Sequence, residues 1–324
     1  MSTATAAGQP LRIVFMGTPD FAVSSLEAIV ASQHTVACVV TVPDRLSGRG
    51  QKLTPSPVKR YAEEHGIPLL QPEKLRDPQF LDDLRAVEAD LFVVVAFRML
   101  PRDVWALPPM GTFNLHASLL PQYRGAAPIN WALINGETET GVTTFFLNER
   151  IDEGSIIRQE STAISPEDNA ETLHDRLAAM GSRLVVETLD ALAEGSVQPK
   201  PQTLPTEGLR PAPKLFRADC LINWNRPGAD IVNFIRGLSP YPAAHMELTD
   251  TQGRRHGLKV FSASFTAAST AEAGALQTDG RSFLRVTAED GIVEIHELQL
   301  EGKRRMTTED FLRGCTISDW TIDE

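Results

Sequence analysis

The chain has 324 residues, 42% hydrophobic and 23% charged, the balance of an ordinary globular protein, and this excludes wholesale disorder. No run approaches the ~18 apolar residues needed to span a bilayer. The formal charge is −11, from 31 basic and 42 acidic side chains, so a polyanionic partner must be met by a local basic patch rather than by long-range attraction.

Leu11 to Met16 is a short apolar run ending at Gly17-Thr-Pro. A helical pattern follows, with Phe21, Val23, Leu26, Ile29 and Val30 on or near one face, and then a β-branched run from Thr35 to Val42. Strand, turn, helix and strand in that order open a βαβ unit. The single glycine of Gly17-Thr-Pro-Asp-Phe is not G-x-G-x-x-G, so a dinucleotide site is not expected. A Gly/Pro-rich loop from Pro43 to Pro57 leads to a helix near Val58 to His65, a strand at Ile67 to Leu70 and a helix near Gln79 to Ala86. Leu91 to Phe97, seven apolar residues with three consecutive valines, reads as a buried strand. Continuous apolar strands alternating with helices predict a doubly wound, mainly parallel sheet of Rossmann-like α/β type.

Further along, the pattern predicts a strand at Gly111 to His116, a short helix at Pro128 to Ile134, strands at Gly141 to Leu147 and Ser155 to Gln159, and a long helix from Ala170 to Ala193. Gly195 to Pro213 carries five prolines and little apolar periodicity, the composition of a linker. Beyond it lie a helix near Gly228 to Arg236 and closely spaced strand-like runs from Leu221 to Leu300, which predict a smaller C-terminal β-barrel of OB-like form. The expected organisation is a catalytic domain over 1–194, a linker over 195–213 and the barrel domain over 214–324.

The three cysteines, Cys38, Cys220 and Cys315, are isolated and lack C-x-x-C spacing, so neither a disulfide framework nor a thiolate metal site is expected. Cys38 reads as a small core residue. The seven histidines show no ligand spacing, and no metal is expected. Met1 to Pro10 lacks the basic-then-apolar pattern of a signal peptide, and the cytoplasm is the expected location.

The chemistry concentrates in Phe113-Asn-Leu-His-Ala-Ser-Leu-Leu-Pro-Gln-Tyr-Arg-Gly. Asn114 and His116 are two apart, so on a strand their side chains leave the same face. Polar side chains there are costly unless hydrogen-bonded, and the ends of parallel strands are where open α/β sheets place ligands. A core histidine satisfied by its neighbours is the competing reading. Asp152, in Asn148-Glu-Arg-Ile-Asp-Glu-Gly, is a third candidate, a carboxylate able to orient His116, although a plain turn residue before Gly154 is the local alternative. Asn, His and Asp without a serine or cysteine nucleophile suit direct acyl transfer between two bound substrates.

These motifs carry a resemblance. Asn114-x-His116-x-Ser-Leu-Leu-Pro-x-Tyr-Arg-Gly, then Ala126-Ala-Pro-Ile-Asn-Trp, and Ile151-Asp-x-Gly resemble the formyltransferase family that uses 10-formyltetrahydrofolate. Met16-Gly-Thr-Pro-Asp-Phe-Ala, the loop Pro43-Asp-Arg-x-x-Gly-Arg-Gly-x-Lys-Leu, and Ile222-Asn-Trp with Pro240-Tyr-Pro resemble the branch that acts on initiator methionyl-tRNA. The similarity extends over nearly the whole chain. It implies that Asn114, His116 and Asp152 form a catalytic triad. It also implies that Ser118, Leu119, Leu120 and Pro121 bind the folate, that Val95 and Phe97 line the pterin pocket, and that Arg49 works near the tRNA acceptor end. One departure stands out: Ala96-Phe-Arg-Met-Leu-Pro replaces the common Ala-Tyr-Gly followed by Ile-Leu-Pro, one residue shorter and with a charge at Arg98.

The loop holding Arg45, Arg49, Lys52, Lys59 and Arg60 is a local patch suited to phosphates. From Leu209 onward there are 14 basic and 16 acidic residues, a net of −2 against −9 for the preceding part, so the less acidic end is expected to meet the tRNA body. Lys303-Arg304-Arg305 is its basic triplet, and Trp224 is expected in its core. The implied activity is formyl transfer to the α-amine of initiator methionyl-tRNA by a monomer with no membrane partner. The alternative is N-formylation of an amino-sugar nucleotide, against which the Gly-Arg-Gly loop argues. A glycinamide-ribonucleotide enzyme would lack the last ~110 residues, and a non-catalytic folate or tRNA binder would not need the polar trio.

Overall fold

The structure is a computed structural model that describes residues 8–47, 52–203, 208–269 and 272–323. In chain order it begins with β1 (Arg12–Gly17), α1 (Asp20–Val30), β2 (Thr35–Val40), a short hairpin of β3 (Arg45–Ser47) and β4 (Lys52–Thr54), α2 (Pro57–Glu64) and β5 (Leu69–Leu70). It continues through α3 (Pro78–Ala86), β6 (Leu91–Val95), α4 (Arg102–Trp105), β7 (Thr112–His116), α5 (Pro128–Ile134), β8 (Glu139–Phe146), β9 (Ile156–Ala163) and α6 (Ala170–Ala193). The last part holds a 3₁₀ turn (Arg217–Cys220), α7 (Gly228–Leu238), β10 (Ala244–Thr249), β11 (Arg255–Ala267), β12 (Leu276–Thr278), β13 (Leu284–Ala288), β14 (Gly291–Leu300), β15 (Met306–Thr307), α8 (Thr308–Leu312) and β16 (Thr321–Ile322).

Two compact units emerge. The first comprises 1–125, 140–162 and 174–211; the second comprises 126–139, 163–173 and 212–324. The first is built on a seven-stranded sheet of order β5-β2-β1-β6-β7-β8-β9. Strands β5, β2, β1, β6 and β7 are parallel, and β8 runs antiparallel to β7. The fold class expected from the alternating apolar runs is therefore present: β6 is buried at every position because helices cover both faces of a parallel strand. One face carries Val14, Met16, Cys38, Val40, Phe92 and Val94 against Phe80 and Leu84 of α3 and Val104 of α4. The chain runs from β1 to β2 and β5 on one side and then crosses to β6 on the other, so the switch point lies between β1 and β6. Gly17 and Val95, the carboxyl ends of those strands, pair with each other there.

The second unit holds an antiparallel, barrel-like sheet of order β12-β13-β14-β11-β10-β16, with β15 on β14. Strand β11 is 13 residues long and shifts register between Val260 and Ala263, the kind of bulge that lets a strand bend and a sheet curl. Alternate residues Ala244, Met246 and Leu248, with Leu258 and Val260, fill its inside. Trp224 belongs to this core. The strand expected at Leu221 to Trp224 is reduced to one bridge, Leu221 to His245, because the Asn223 side chain accepts from the Asn225 N–H and turns the backbone away.

Two segments that precede the barrel by 40 residues and more complete the second unit. Asn130 Nδ2 donates to the Gly237 carbonyl at 2.8 Å, and a Cβ at Gly237 would lie 2.7 Å from Ile134 Cγ1, so only glycine lets α5 and α7 approach this closely. Arg236 Nη1 donates to the carbonyls of Ser165 and Asp168, fastening the 163–173 segment to α7. No helix among the described residues is long and apolar enough to cross a membrane.

Cys38 lies in the first core, and burial pushes its thiol pKa up to about 11. At pH 8 iodoacetamide should therefore leave Cys38 unmodified in the native chain and label it after denaturation. Recovery of a carbamidomethylated Cys38 peptide from native protein would contradict this packing.

Candidate active site

Strand β7 places Asn114 and His116 on one face while Phe113 and Leu115 go into the core, Leu115 against Gly181 of α6. Asn114 sits between Val94 of β6 and Phe145 of β8, and His116 ends the strand opposite Thr143. Both stand at the carboxyl edge of the parallel strands, next to the switch point. The Asn114 amide has no hydrogen-bond partner among the described residues and is half-buried, so its N–H₂ is available as a donor.

His116 is buried, and its Nε2 donates to the Tyr123 carbonyl at 2.8 Å. A carbonyl only accepts, so Nε2 carries the hydrogen in the neutral ring and Nδ1 is left with its lone pair. The group that orients the imidazole is therefore this carbonyl; Asp152, expected to orient it, makes no hydrogen bond to it among the described residues. Asp152 Oδ2 instead accepts from the Gly125 N–H at 2.9 Å, two residues beyond Tyr123. One short segment, Tyr123 to Gly125, thus braces both the histidine and the carboxylate.

That segment is itself held from several sides. Ser118 Oγ donates to the Gln122 carbonyl at 2.6 Å, and Thr143 Oγ1 donates to the Ser118 carbonyl at 2.7 Å while accepting from Leu120 N at 3.2 Å. Gln159 Nε2 reaches both the Leu120 carbonyl and Thr143 Oγ1. The Ser118 hydroxyl is consequently committed to the loop, and Leu120 is buried. Leu119 and Pro121 remain half-exposed over this fixed backbone.

Asp152 is anchored by residues that periodicity does not reveal. Gln202 Nε2 donates to the carbonyls of Asp152 at 2.8 Å and Gly154 at 2.9 Å, and Gln202 Oε1 accepts from Arg124 Nη2 at 2.6 Å. Arg124 also pairs with Glu153 at 3.0 Å. The stretch expected as a linker therefore reaches the site at two described residues: Lys200 bridges Ile156, and the Arg210 carbonyl accepts from Tyr123 N at 2.7 Å. Gly154 has no room for a side chain, since a Cβ would overlap the Phe146 carbonyl oxygen. The backbone is strained here as well: Ala96, Tyr123 and Asp152 hold φ of +46°, +59° and +53°. Such values cost about 1–3 kcal/mol each for residues with a side chain and cluster at functional sites.

Val95 is fully buried at the end of β6, and Phe97 is half-buried beside it. Arg98, the departure noted above, packs its guanidinium 5.3 Å from the Phe97 ring centroid and donates to the carbonyls of Pro72 and Glu73. Burial, and then the charge of Arg45, hold its pKa below the ordinary arginine value. Arg45 is exposed on β3, paired through the backbone with Thr54. Lys52 lies on β4, and Arg49 falls outside the described residues. Lys59 is not a free member of the basic loop: Asp44 meets it at 2.7 Å and Glu63 at 3.6 Å. The Asp44 bond raises the lysine's pKa, and the bonds from Lys59 and Gln71 lower the aspartate's. Among the described residues no group of three or more His, Cys, Asp or Glu side chains is placed to hold a metal ion.

A model of the formyl transferase family matches residues 11–189, and that of the formyl transferase C-terminal domain matches 214–316. The chain belongs to the formyl transferase family. It is 53% identical to the methionyl-tRNA formyltransferase of Bacteroides fragilis over 96% of this chain and 97% of that one. With the methionyl-tRNA formyltransferase of Parabacteroides distasonis it shares 54% over 97% and 99%. Among solved structures, an N-formyltransferase from Helicobacter canadensis, crystallised with folinic acid and dTDP-3-aminofucose, matches with a TM-score of 0.60 at 19% identity, covering 91% of this chain and all of that one. At that identity it is the fold that is shared.

Gln202→Ala removes the donor that holds the Asp152 and Gly154 carbonyls, and formyl-transfer kcat should fall roughly 10- to 100-fold, the scale of a small misplacement close to a reacting centre. Gln202→Glu keeps an acceptor for Arg124 but loses both donors, and should resemble the alanine variant. A kcat within twofold of the parent for both would mean that Gln202 does not position Asp152.

Proposed function

We propose that the chain transfers the formyl group of 10-formyltetrahydrofolate to the α-amino group of methionyl-initiator tRNA, giving N-formylmethionyl-tRNA for translation initiation. The observation that carries this reading is the pair Asn114 and His116 on one face of β7 at the carboxyl edge, with the Asp152 turn tied to the loop that follows. The acceptor is supported by relatives more than half identical over nearly their whole length.

The folate supplies an activated formyl carbon when bound. The half-exposed Leu119 and Pro121, on a backbone fixed by Thr143 and Gln159, together with Phe97, suit the flat face of a pterin. Ser118 and Leu120 would serve by shaping that wall, and Val95 by closing its base. Asn114 donates to the formyl oxygen as negative charge develops on it. The methionyl nitrogen bonds to the formyl carbon, the carbon–nitrogen bond to the folate breaks, and the amine's proton must leave. His116 offers Nδ1 at this point, accepting or donating according to its charge, because Nε2 is held by Tyr123. Asp152, held by the Gly125 N–H of the same loop, helps take up the proton. Arg45, Arg49 and Lys52 meet phosphates at the acceptor end. The enzyme acts in the cytoplasm as a monomer, with no metal in the reaction.

Incubation with 10-formyltetrahydrofolate and either methionylated initiator tRNA or an amino-sugar nucleotide separates the two acceptors. Formylation of the sugar but not of the tRNA would overturn the assignment. His116→Ala and Asp152→Ala should each lower kcat by at least about 10²-fold while leaving tRNA binding near that of the parent; near-normal rates in both would refute the mechanism. Arg49→Ala should raise KM for the tRNA and leave KM for the folate unchanged, and an unaltered tRNA KM would take that loop out of the reading.

A further inference from the structure

In the run Ser-Leu-Leu-Pro-x-Tyr-Arg-Gly one position has no role so far, and Gln122 fills it. Its two successors are committed: Tyr123 lends its carbonyl to His116, and Arg124 meets Gln202 and Glu153. Gln122 is half-buried, and both ends of its side-chain amide are engaged. Nε2 donates to the Gly208 carbonyl at 3.0 Å, and Oε1 accepts from the Arg210 N–H at 2.9 Å. These are the two main-chain groups that a parallel strand would meet on either side of Leu209. Only Gln and Asn carry an amide that donates and accepts as a peptide does, and Asn is a methylene shorter.

The clasp continues through the main chain. Tyr123 N donates to the Arg210 carbonyl at 2.7 Å, and the Gln122 carbonyl accepts from Ser118 Oγ at 2.6 Å. The peptide unit joining Gln122 to Tyr123 is thus held at its N–H and at its C=O. A peptide unit is planar, so holding both groups fixes its plane. Tyr123 leaves that plane at φ +59°, a conformation that a residue with a side chain keeps only when its surroundings impose it. From there its carbonyl turns back to His116 and lies 2.8 Å from Nε2.

The chemistry depends on this aim. In a neutral imidazole, the hydrogen bond made by one nitrogen decides which nitrogen carries the proton. With the Tyr123 carbonyl in place, Nε2 carries it and Nδ1 keeps its lone pair. Nε2 has no other hydrogen-bond partner among the described residues. With the carbonyl turned away, the tautomer with its hydrogen on Nδ1 becomes accessible, and that nitrogen can no longer accept the amine's proton.

We infer that Gln122 is a positioning residue: its amide clasps the chain at Gly208 and Arg210, aims the Tyr123 carbonyl and so selects the His116 tautomer. The consequence for rate rests on the formyl-transfer reading above. Gln122 then acts on the histidine as Gln202 acts on Asp152, and the returning chain is gripped once for each.

The test reads the ring itself, by nitrogen-15 NMR of the substrate-free full chain labelled at histidine. The His116 signals are assigned by their loss in His116→Ala. In the parent the neutral ring should carry its hydrogen on Nε2, and a hydrogen on Nδ1 would overturn the inference at once. Gln122→Met keeps the side-chain length and removes both hydrogen bonds. Since one hydrogen bond shifts an equilibrium roughly 3- to 10-fold, an Nδ1–H population of at least about one tenth should appear. On the same scale kcat should fall about 3- to 10-fold, while KM for the folate and for the acceptor stays within about twofold. Gln122→Asn is too short to reach both groups and should shift the ring likewise, which keeps the test decisive if the methionine variant does not fold. Gln122→Glu keeps the acceptor for the Arg210 N–H and should recover most of the parent tautomer and rate; a glutamate variant no better than methionine would count against the clasp. Arg210→Ala keeps the main-chain N–H and carbonyl and should leave the tautomer as in the parent. A shift there would assign the effect to the guanidinium beside the Tyr123 hydroxyl and overturn the clasp. An unchanged ring in Gln122→Met overturns it too, whatever happens to the rate. Because the ring is read without substrate, a chain that formylates neither acceptor would sink the function alone, and the tautomer would still decide the clasp.

Discussion

The imidazole of His116 is bonded by its Nε2 hydrogen to the carbonyl of Tyr123, seven residues ahead, and much of the first unit is arranged so that this bond can form. The carbonyl must turn back toward the end of its own strand, which requires Tyr123 in a left-handed conformation and a loop folded over the sheet edge. A single hydrogen bond, worth about 0.5–1.5 kcal/mol net, does not hold a loop in that state. Thr143 and Gln159, on the two strands appended to the parallel sheet, grip the loop from beneath. These added strands therefore act as a brace for the carboxyl edge as well as an extension of the sheet.

Strain and support coincide along this edge. Ala96, Tyr123 and Asp152 all sit at positive φ where their strands or turns reach the site, and Tyr123 and Asp152 are fastened by neighbours that would lose partners if they relaxed. For Asp152 the fasteners are Gly125 N–H and Gln202, with Gly154 allowing the chain to pass the Phe146 carbonyl. Such over-determination holds the carboxylate in one place through several independent bonds, the kind of preorganisation that electrostatic stabilisation of developing charge draws on.

Much of this was legible in the chain. The valine run of β6, the Asn-x-His spacing on β7 and the apolar stripe of α6 are local patterns with a physical period, and the structure places all three. What stayed hidden has no period. Gln202 lies in a proline-rich stretch that reads as a linker, fifty residues from the carbonyl it holds, and an isolated glutamine carries no local signal. Strands β3 and β4 have three residues each, too few for alternation to show inside a Gly/Pro-rich loop. The availability of a charge is equally unreadable from composition: Lys59 looks like any other loop lysine until Asp44 is seen against it. Lys259 and Gln299, forty residues apart, become neighbours only through register.

The second unit is discontinuous along the chain, and synthesis runs in one direction. Helix α5 leaves the ribosome about 90 residues before α7, the helix on which Gly237 makes room for Ile134. At translation rates of roughly 5–20 residues per second that is a wait on the order of 5–20 s. Over that time α5 waits for the helix whose Gly237 carbonyl it bonds. The chain thus carries a built-in order of assembly, in which an early helix is stored in an unfinished state and claimed only when the last third of the protein appears.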